Sequence, residues 1–95
     1  MSTKFLESRS AIIWGGAGSI GTATAARLVE EGATVYLAGR TEETLKAAVE
    51  ETGAVGYGVV DVLDEDAVSA LVERVVAETG RIDISFHVAD RGDIQ

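Results

Sequence analysis

The sequence predicts an α/β fold built on a doubly wound parallel sheet, and three observations carry that expectation. Short apolar runs alternate with longer amphipathic runs in the order β-α-β-α-β-α-β. The helical runs close on Gly32, Gly53 and Gly80, where a left-handed cap residue is wanted. No proline breaks the pattern. Strands separated by helices run parallel, because the connection is too long for a hairpin. Right-handed crossovers then lay the helices on the sheet faces. The expected strand order is 3-2-1-4, which is one half of a doubly wound sheet plus the first strand of the other half.

Each element has its own signature. Ser10–Trp14 (SAIIW) is a short apolar run that ends at glycine and reads as a buried strand. Residues 19–31 follow with Ile20, Thr24, Leu28 and Val29 at helical spacing. Residues 34–38 (TVYLA) form the second strand. Thr41 is placed to cap a helix through Glu51 that turns Leu45, Ala48 and Val49 inward. Residues 55–60 (VGYGVV) form a third strand, weakened by its two glycines. Asp64 caps the third helix, which runs to about residue 78 with Val68, Leu71, Val72, Val75 and Val76 on one stripe. Residues 82–88 (IDISFHV) form the fourth strand, and the polar tail ADRGDIQ reads as loop.

Composition bounds the function. Ninety-five residues make one small domain, and 46% apolar with 25% charged residues is ordinary for a soluble globular chain. No apolar run approaches the roughly 20 residues of a membrane span, and MSTKFLESRS lacks the apolar core of a secretory signal. The absence of cysteine removes disulfide and thiolate chemistry and fits a cytoplasmic protein. A net charge of −8 without a basic cluster argues against nucleic acid as a partner. With one histidine and no cysteine, no metal site is expected. Ser8, Ser10, His87 and Asp90 show no spacing that implies a nucleophile and its base.

The informative stretch is IIWGGAGSIGTATAARLVEEG, residues 12–32. A helix N-terminus offers unpaired N–H groups and partial positive charge, so phosphate binds there if the backbone can come close. Gly15, Gly16 and Gly18 make the turn bare, and Gly21 lets helix and strand approach. Gly16-x-Gly18-x-x-Gly21 satisfies the dinucleotide pattern literally, and its place between a strand and a helix is the right one. The fold expectation thereby sharpens to a Rossmann-like unit.

From this loop onward the chain resembles the short-chain dehydrogenase/reductase family. The family's loop reads T-G-x-x-x-G-x-G. Here Gly15 and Gly21 match its outer glycines, Ser19 stands at the middle one with Gly18 a place early, and Trp14 replaces the threonine. The resemblance implies cofactor contacts from Gly15, Ala17, Gly18, Ser19, Ile20 and Gly21. At the end of the second strand, where an acid would hold the ribose of NAD, stands Gly39, followed by Arg40. An arginine there suits a 2′-phosphate, so NADP(H) is expected over NAD(H). Asp61 and Val62 match the family's Asp-apolar pair, which implies an adenine contact; the residues alone equally allow Asp61 to brace the turn. GRIDISFHVAD resembles G-x-[IL]-D-x-L-V-N-N-A-G. Gly80, Ile82, Asp83 and Ala89 match, while His87 and Val88 replace the paired asparagines and Asp90 the glycine. His87 is carried as the substitute donor on the ribose side, although a lone histidine at a strand end more often reads as a structural residue, and the Trp14 indole could narrow the pocket.

The resemblance spans Phe5 to about Asp90 and only the first part of the family's domain. The catalytic serine and Tyr-x-x-x-Lys pair of the family have no counterpart; Tyr36 and Tyr57 lie inside expected strands and read as packing residues. The expectation is therefore a single portion, residues 1–95, that binds a dinucleotide for an NADP(H)-dependent oxidoreductase. The alternatives are a non-catalytic nucleotide-binding or interaction module, or an inactive truncated product. An open fourth-strand edge carrying Ile82, Ile84 and Phe86 is expected to self-associate.

Overall fold

The computed structural model describes residues 7–15 and 18–88. Seven elements follow one another: β1 (Ser10–Trp14), α1 (Ser19–Glu30), β2 (Thr34–Gly39), α2 (Glu42–Thr52), β3 (Gly56–Val59), α3 (Glu65–Thr79) and β4 (Ile84–His87). The four strands form one parallel sheet in the order β3-β2-β1-β4. The expected α/β, Rossmann-like topology is therefore present.

Strand alternation divides the core into two layers. Ala11, Ile13, Val35 and Leu37 face α1 and α2, where they meet Ala25, Leu45 and Ala48. Ile12, Trp14, Tyr36 and Ala38 face α3 and pack with Val60, Leu71 and Val75. The third crossover reverses direction along the sheet, so a right-handed path carries α3 to the opposite face. The point of reversal lies between β1 and β4, and in doubly wound sheets the C-terminal ends of the strands at such a switch point are where ligands bind.

Several expectations change at the element ends. β3 and β4 are shorter than expected. Val55 N–H still donates to the Val35 carbonyl at 2.9 Å and Val60 N–H to Gly39 at 2.7 Å, so the bonds to β2 extend beyond the regular ladder. Ile82 precedes β4 and packs on the α3 side, whereas Ile84 packs on the α1 side. They therefore do not form one exposed row; of the three apolar residues expected there, Phe86 is the one left substantially exposed. Ile20 is 61% exposed, and α1 instead buries Gly21 and Ala25. Val76 also faces outward. Thr41 occupies the N-cap position of α2 without a side-chain cap bond, whereas the Asp64 carboxylate accepts from Ala67 N–H at 3.2 Å.

The two glycines of β3 have a packing reason. A Cβ on Gly58 would lie 2.8 Å from Leu71 Cδ1, and one on Gly56 would touch the Tyr36 ring. The strand gives up side chains so that α3 and Tyr36 can lie against it.

Asp83 fastens β4 to β1. Its N–H donates to the Ser10 carbonyl at 2.9 Å, and its carboxylate accepts from Ser10 N–H at 2.9 Å. Arg81 and Arg9 bind the other carboxylate oxygen. The Ser10 hydrogen bond and then the two arginines, opposed by desolvation, hold the Asp83 carboxyl below its ordinary value. A lowered folded value stabilises the fold above the unfolded carboxylate range, and that contribution disappears as pH falls through the folded value. Asp83→Asn is therefore expected to lower the urea midpoint at pH 7 and to flatten its decline on acidification. An unchanged midpoint–pH curve would sink that account.

Candidate functional site

The bare turn begins at the C-terminal end of β1. Gly15 adopts φ +86° and donates to the Ala38 carbonyl at 2.8 Å. A Cβ there would sit 3.3 Å from Val88 Cβ and 3.4 Å from the Val88 oxygen. Both the conformation and the space therefore call for glycine. Gly18 is the extended N-cap of α1, and its carbonyl accepts from Thr22 N–H at 2.8 Å.

The start of α1 differs chemically from those of the other helices. It has no acid in its first turn, where α2 has Glu42 and Glu43 and α3 has Glu65 and Asp66; like α2 it also lacks a side-chain cap bond. Ser19 and Ile20 are exposed and Gly21 is buried against the sheet. An uncapped, acid-free helix end beside a cradle that a Cβ would fill suits an anionic group.

Two further segments border the same end of the sheet. At the end of β2, a Cβ on Gly39 would lie 3.3 Å from Leu45 Cδ2, so this position too is shaped by packing. Arg40 follows and is exposed; its guanidinium forms no ion pair or hydrogen bond among the described residues. After β3, Asp61 Oδ1 accepts from Leu63 N–H at 2.9 Å and its carbonyl from Asp64 N–H at 2.8 Å. Asp61 thus braces its turn with one carboxylate oxygen, leaving the other without a partner among the described residues. Val62 beside it is exposed. Ala17 and Ala89, like Gly16 and Asp90, lie outside the described residues.

Trp14 turns into the sheet's α3 side. Its side chain belongs to the α3-side core and the residue is 4% exposed. The indole Nε1–H donates to Ser85 Oγ at 2.9 Å, and the ring stacks on His87 with centroids 5.5 Å apart and planes 9° from parallel.

Sequence reasoning missed three polar contacts. Ser85 as the acceptor for Trp14 had no local signature; for Asp83 as the clamp on Ser10, the one signal was its match to the Asp of G-x-[IL]-D. Tyr36 packs as expected but also donates its hydroxyl to Glu78 at 2.5 Å, with Arg74 over its ring. Burial and then the Glu78 contact push the Tyr36 phenol up to about 12, so it stays protonated across the physiological range. The same bond, helped by Arg74, holds Glu78 below the ordinary carboxylate value against desolvation. This cluster fastens the C-terminal part of α3 to the sheet. Among the described residues no cluster has the makings of a metal site, and no helix is long and apolar enough to cross a membrane.

Comparison with known proteins agrees with this geometry. The short chain dehydrogenase family model matches residues 9–91. Oxidoreductase asL5 of Sarocladium schorii is 42% identical over 91 residues, which are 92% of this chain and 35% of that protein. A short chain dehydrogenase from Bacillus anthracis has a TM-score of 0.84 at 33% identity, covering 88% of this chain and 36% of its own. An NAD+-bound xylitol dehydrogenase has a TM-score of 0.77 at 37% identity, covering 86% of this chain and 33% of its own. The chain spans about a third of the length of the curated relatives it matches. Glycine turn, parallel sheet and family match converge: the chain belongs to the short chain dehydrogenase family of NAD(P)-binding oxidoreductases.

Proposed function

We propose that this chain is a dinucleotide-binding portion that takes NADP(H) in preference to NAD(H). Its role is to hold the cofactor for hydride transfer to or from a carbonyl or alcohol substrate. The observation that carries this reading is the acid-free, uncapped start of α1 beside Gly15. The first-turn N–H groups of Ser19, Ile20 and Gly21 would hold the diphosphate, with Gly15 and Gly18 keeping side chains out of its way. The free oxygen of Asp61 and the backbone of Val62 would take the adenine edge. Family likeness adds Ala17 and Ala89 to this set. When bound, the nicotinamide cofactor supplies the hydride chemistry.

Arg40 carries the preference for NADP(H). A guanidinium without a partner among the described residues is available to a 2′-phosphate, and Gly39 presents no carboxylate to repel one. Calorimetric titration of the chain with NADP+ and with NAD+ tests this. Arg40→Ala is expected to weaken NADP+ by about tenfold or more, since a charge-assisted hydrogen bond contributes about 1.5–3 kcal/mol. NAD+ affinity should stay unchanged. Tighter binding of NAD+ by the unsubstituted chain, or equal losses for both dinucleotides, would overturn the preference.

A further inference from the structure

Trp14 and His87 both depart from the family's pattern, on neighbouring strands, and the structure brings them into contact. The sheet register pairs Trp14 with His87, so both side chains project to the same face. That face carries α3, whereas α1 packs on the other. The His87 ring lies flat on the indole, and Ser85, on the same face of β4, accepts the indole N–H. One face of the imidazole thus lies against Trp14, on the side of the sheet away from the helix whose N-terminus would hold the diphosphate.

The backbone shows what this contact controls. The Trp14 carbonyl accepts from Val88 N–H at 2.9 Å, and the next residue, Gly15, donates to Ala38 at 2.8 Å. Trp14 is therefore held from four directions: β4 backbone, β2 through Gly15, the Ser85 hydroxyl and the His87 ring. The glycine turn leaves the sheet from this point, with Gly15 close against Val88. A shift of the indole would move Gly15 and Val88 together, and with them the entry to α1. Binding groups tolerate displacements of only about 0.5 Å.

We infer that Trp14, Ser85 and His87 act as one positioning unit for the dinucleotide site, His87 acting through its stack on Trp14 and not as a hydrogen-bond donor to the ligand. This rests on the reading under Proposed function and replaces the expectation of His87 as a ribose contact.

The two roles for His87 separate cleanly. His87→Phe keeps a flat ring against the indole but cannot donate or accept, whereas His87→Ala removes the ring. NADP+ is titrated calorimetrically against the unsubstituted chain, both variants and Ser85→Ala, with folding checked by far-UV circular dichroism. Near-UV circular dichroism of the single tryptophan reports the stack without ligand. His87→Phe is expected to keep the indole signal and bind within about twofold of the unsubstituted chain, while His87→Ala loses the signal and binds about threefold to tenfold more weakly. Ser85→Ala should also weaken binding. Equal loss in His87→Phe and His87→Ala would overturn the inference in favour of a direct contact. Unchanged binding in every folded variant would overturn it outright. If the folded, unsubstituted chain takes up neither NADP+ nor NAD+, the cofactor reading itself fails and this role falls with it. That outcome is visible before any variant is compared.

Discussion

Gly15→Ala is expected to abolish measurable dinucleotide binding and to destabilise the fold by about 1–3 kcal/mol, the cost of placing a side chain in a left-handed conformation. Two effects combine at this position. The residue sits at φ +86°, and its added methyl group would press on Val88 at 3.3 Å. Gly80→Ala provides the control. Gly80 has a similar φ of +89°, but nothing lies within 4 Å of its added Cβ. It should show the conformational cost in urea denaturation while leaving NADP+ and NAD+ titrations unchanged. If Gly15→Ala binds either dinucleotide as well as the unsubstituted chain does, the ligand lies elsewhere.

Ile13→Ala should have the largest effect on stability. Ile13 is fully buried in the middle of β1, registered against Leu37 on one side and Phe86 on the other. Truncating a buried aliphatic side chain costs about 2–5 kcal/mol, because apolar contacts are lost and the cavity closes only in part. Domains of this size have about 5–15 kcal/mol in total, so a large share of the stability is at stake. Val59→Ala, at a 52% exposed strand position, should stay within about 0.5 kcal/mol. Similar urea midpoints for the two variants would contradict the assignment of β1 to the centre of the core.

The alternation of apolar runs, the capping glycines and the absence of proline act within a few residues, and the elements they announced are all present. The fourth strand shows where that legibility stops. Its apolar alternation predicted a strand over residues 82–88, but the Asp83 carboxylate turns to Ser10 N–H, and Ile82 packs on the opposite face from Ile84. The first helix shows the same limit. Ile20 matched the helical spacing, yet it sits in the first turn and clear of the sheet, while Gly21 and Ala25 are buried. Periodicity defines a face of a helix but not where along the helix the sheet begins to cover it.

For the candidate site, the sequence by itself determined the parallel order of elements, the bare turn at the end of β1 and the Gly39-Arg40 pair at the end of β2. These depend on local backbone requirements: glycine where φ is positive or an approach is close, and a helix placed to start just beyond. Only the tertiary structure decided that Trp14 lies in the α3-side core, stacks on His87 and bonds to Ser85, and that Tyr36 reaches Glu78. Those partners stand 71 and 42 residues apart in the hydrogen-bonded pairs. Which side chains meet at such separations follows from the right-handed third crossover and the register of β1 on β4, and no spacing within the chain encodes that meeting.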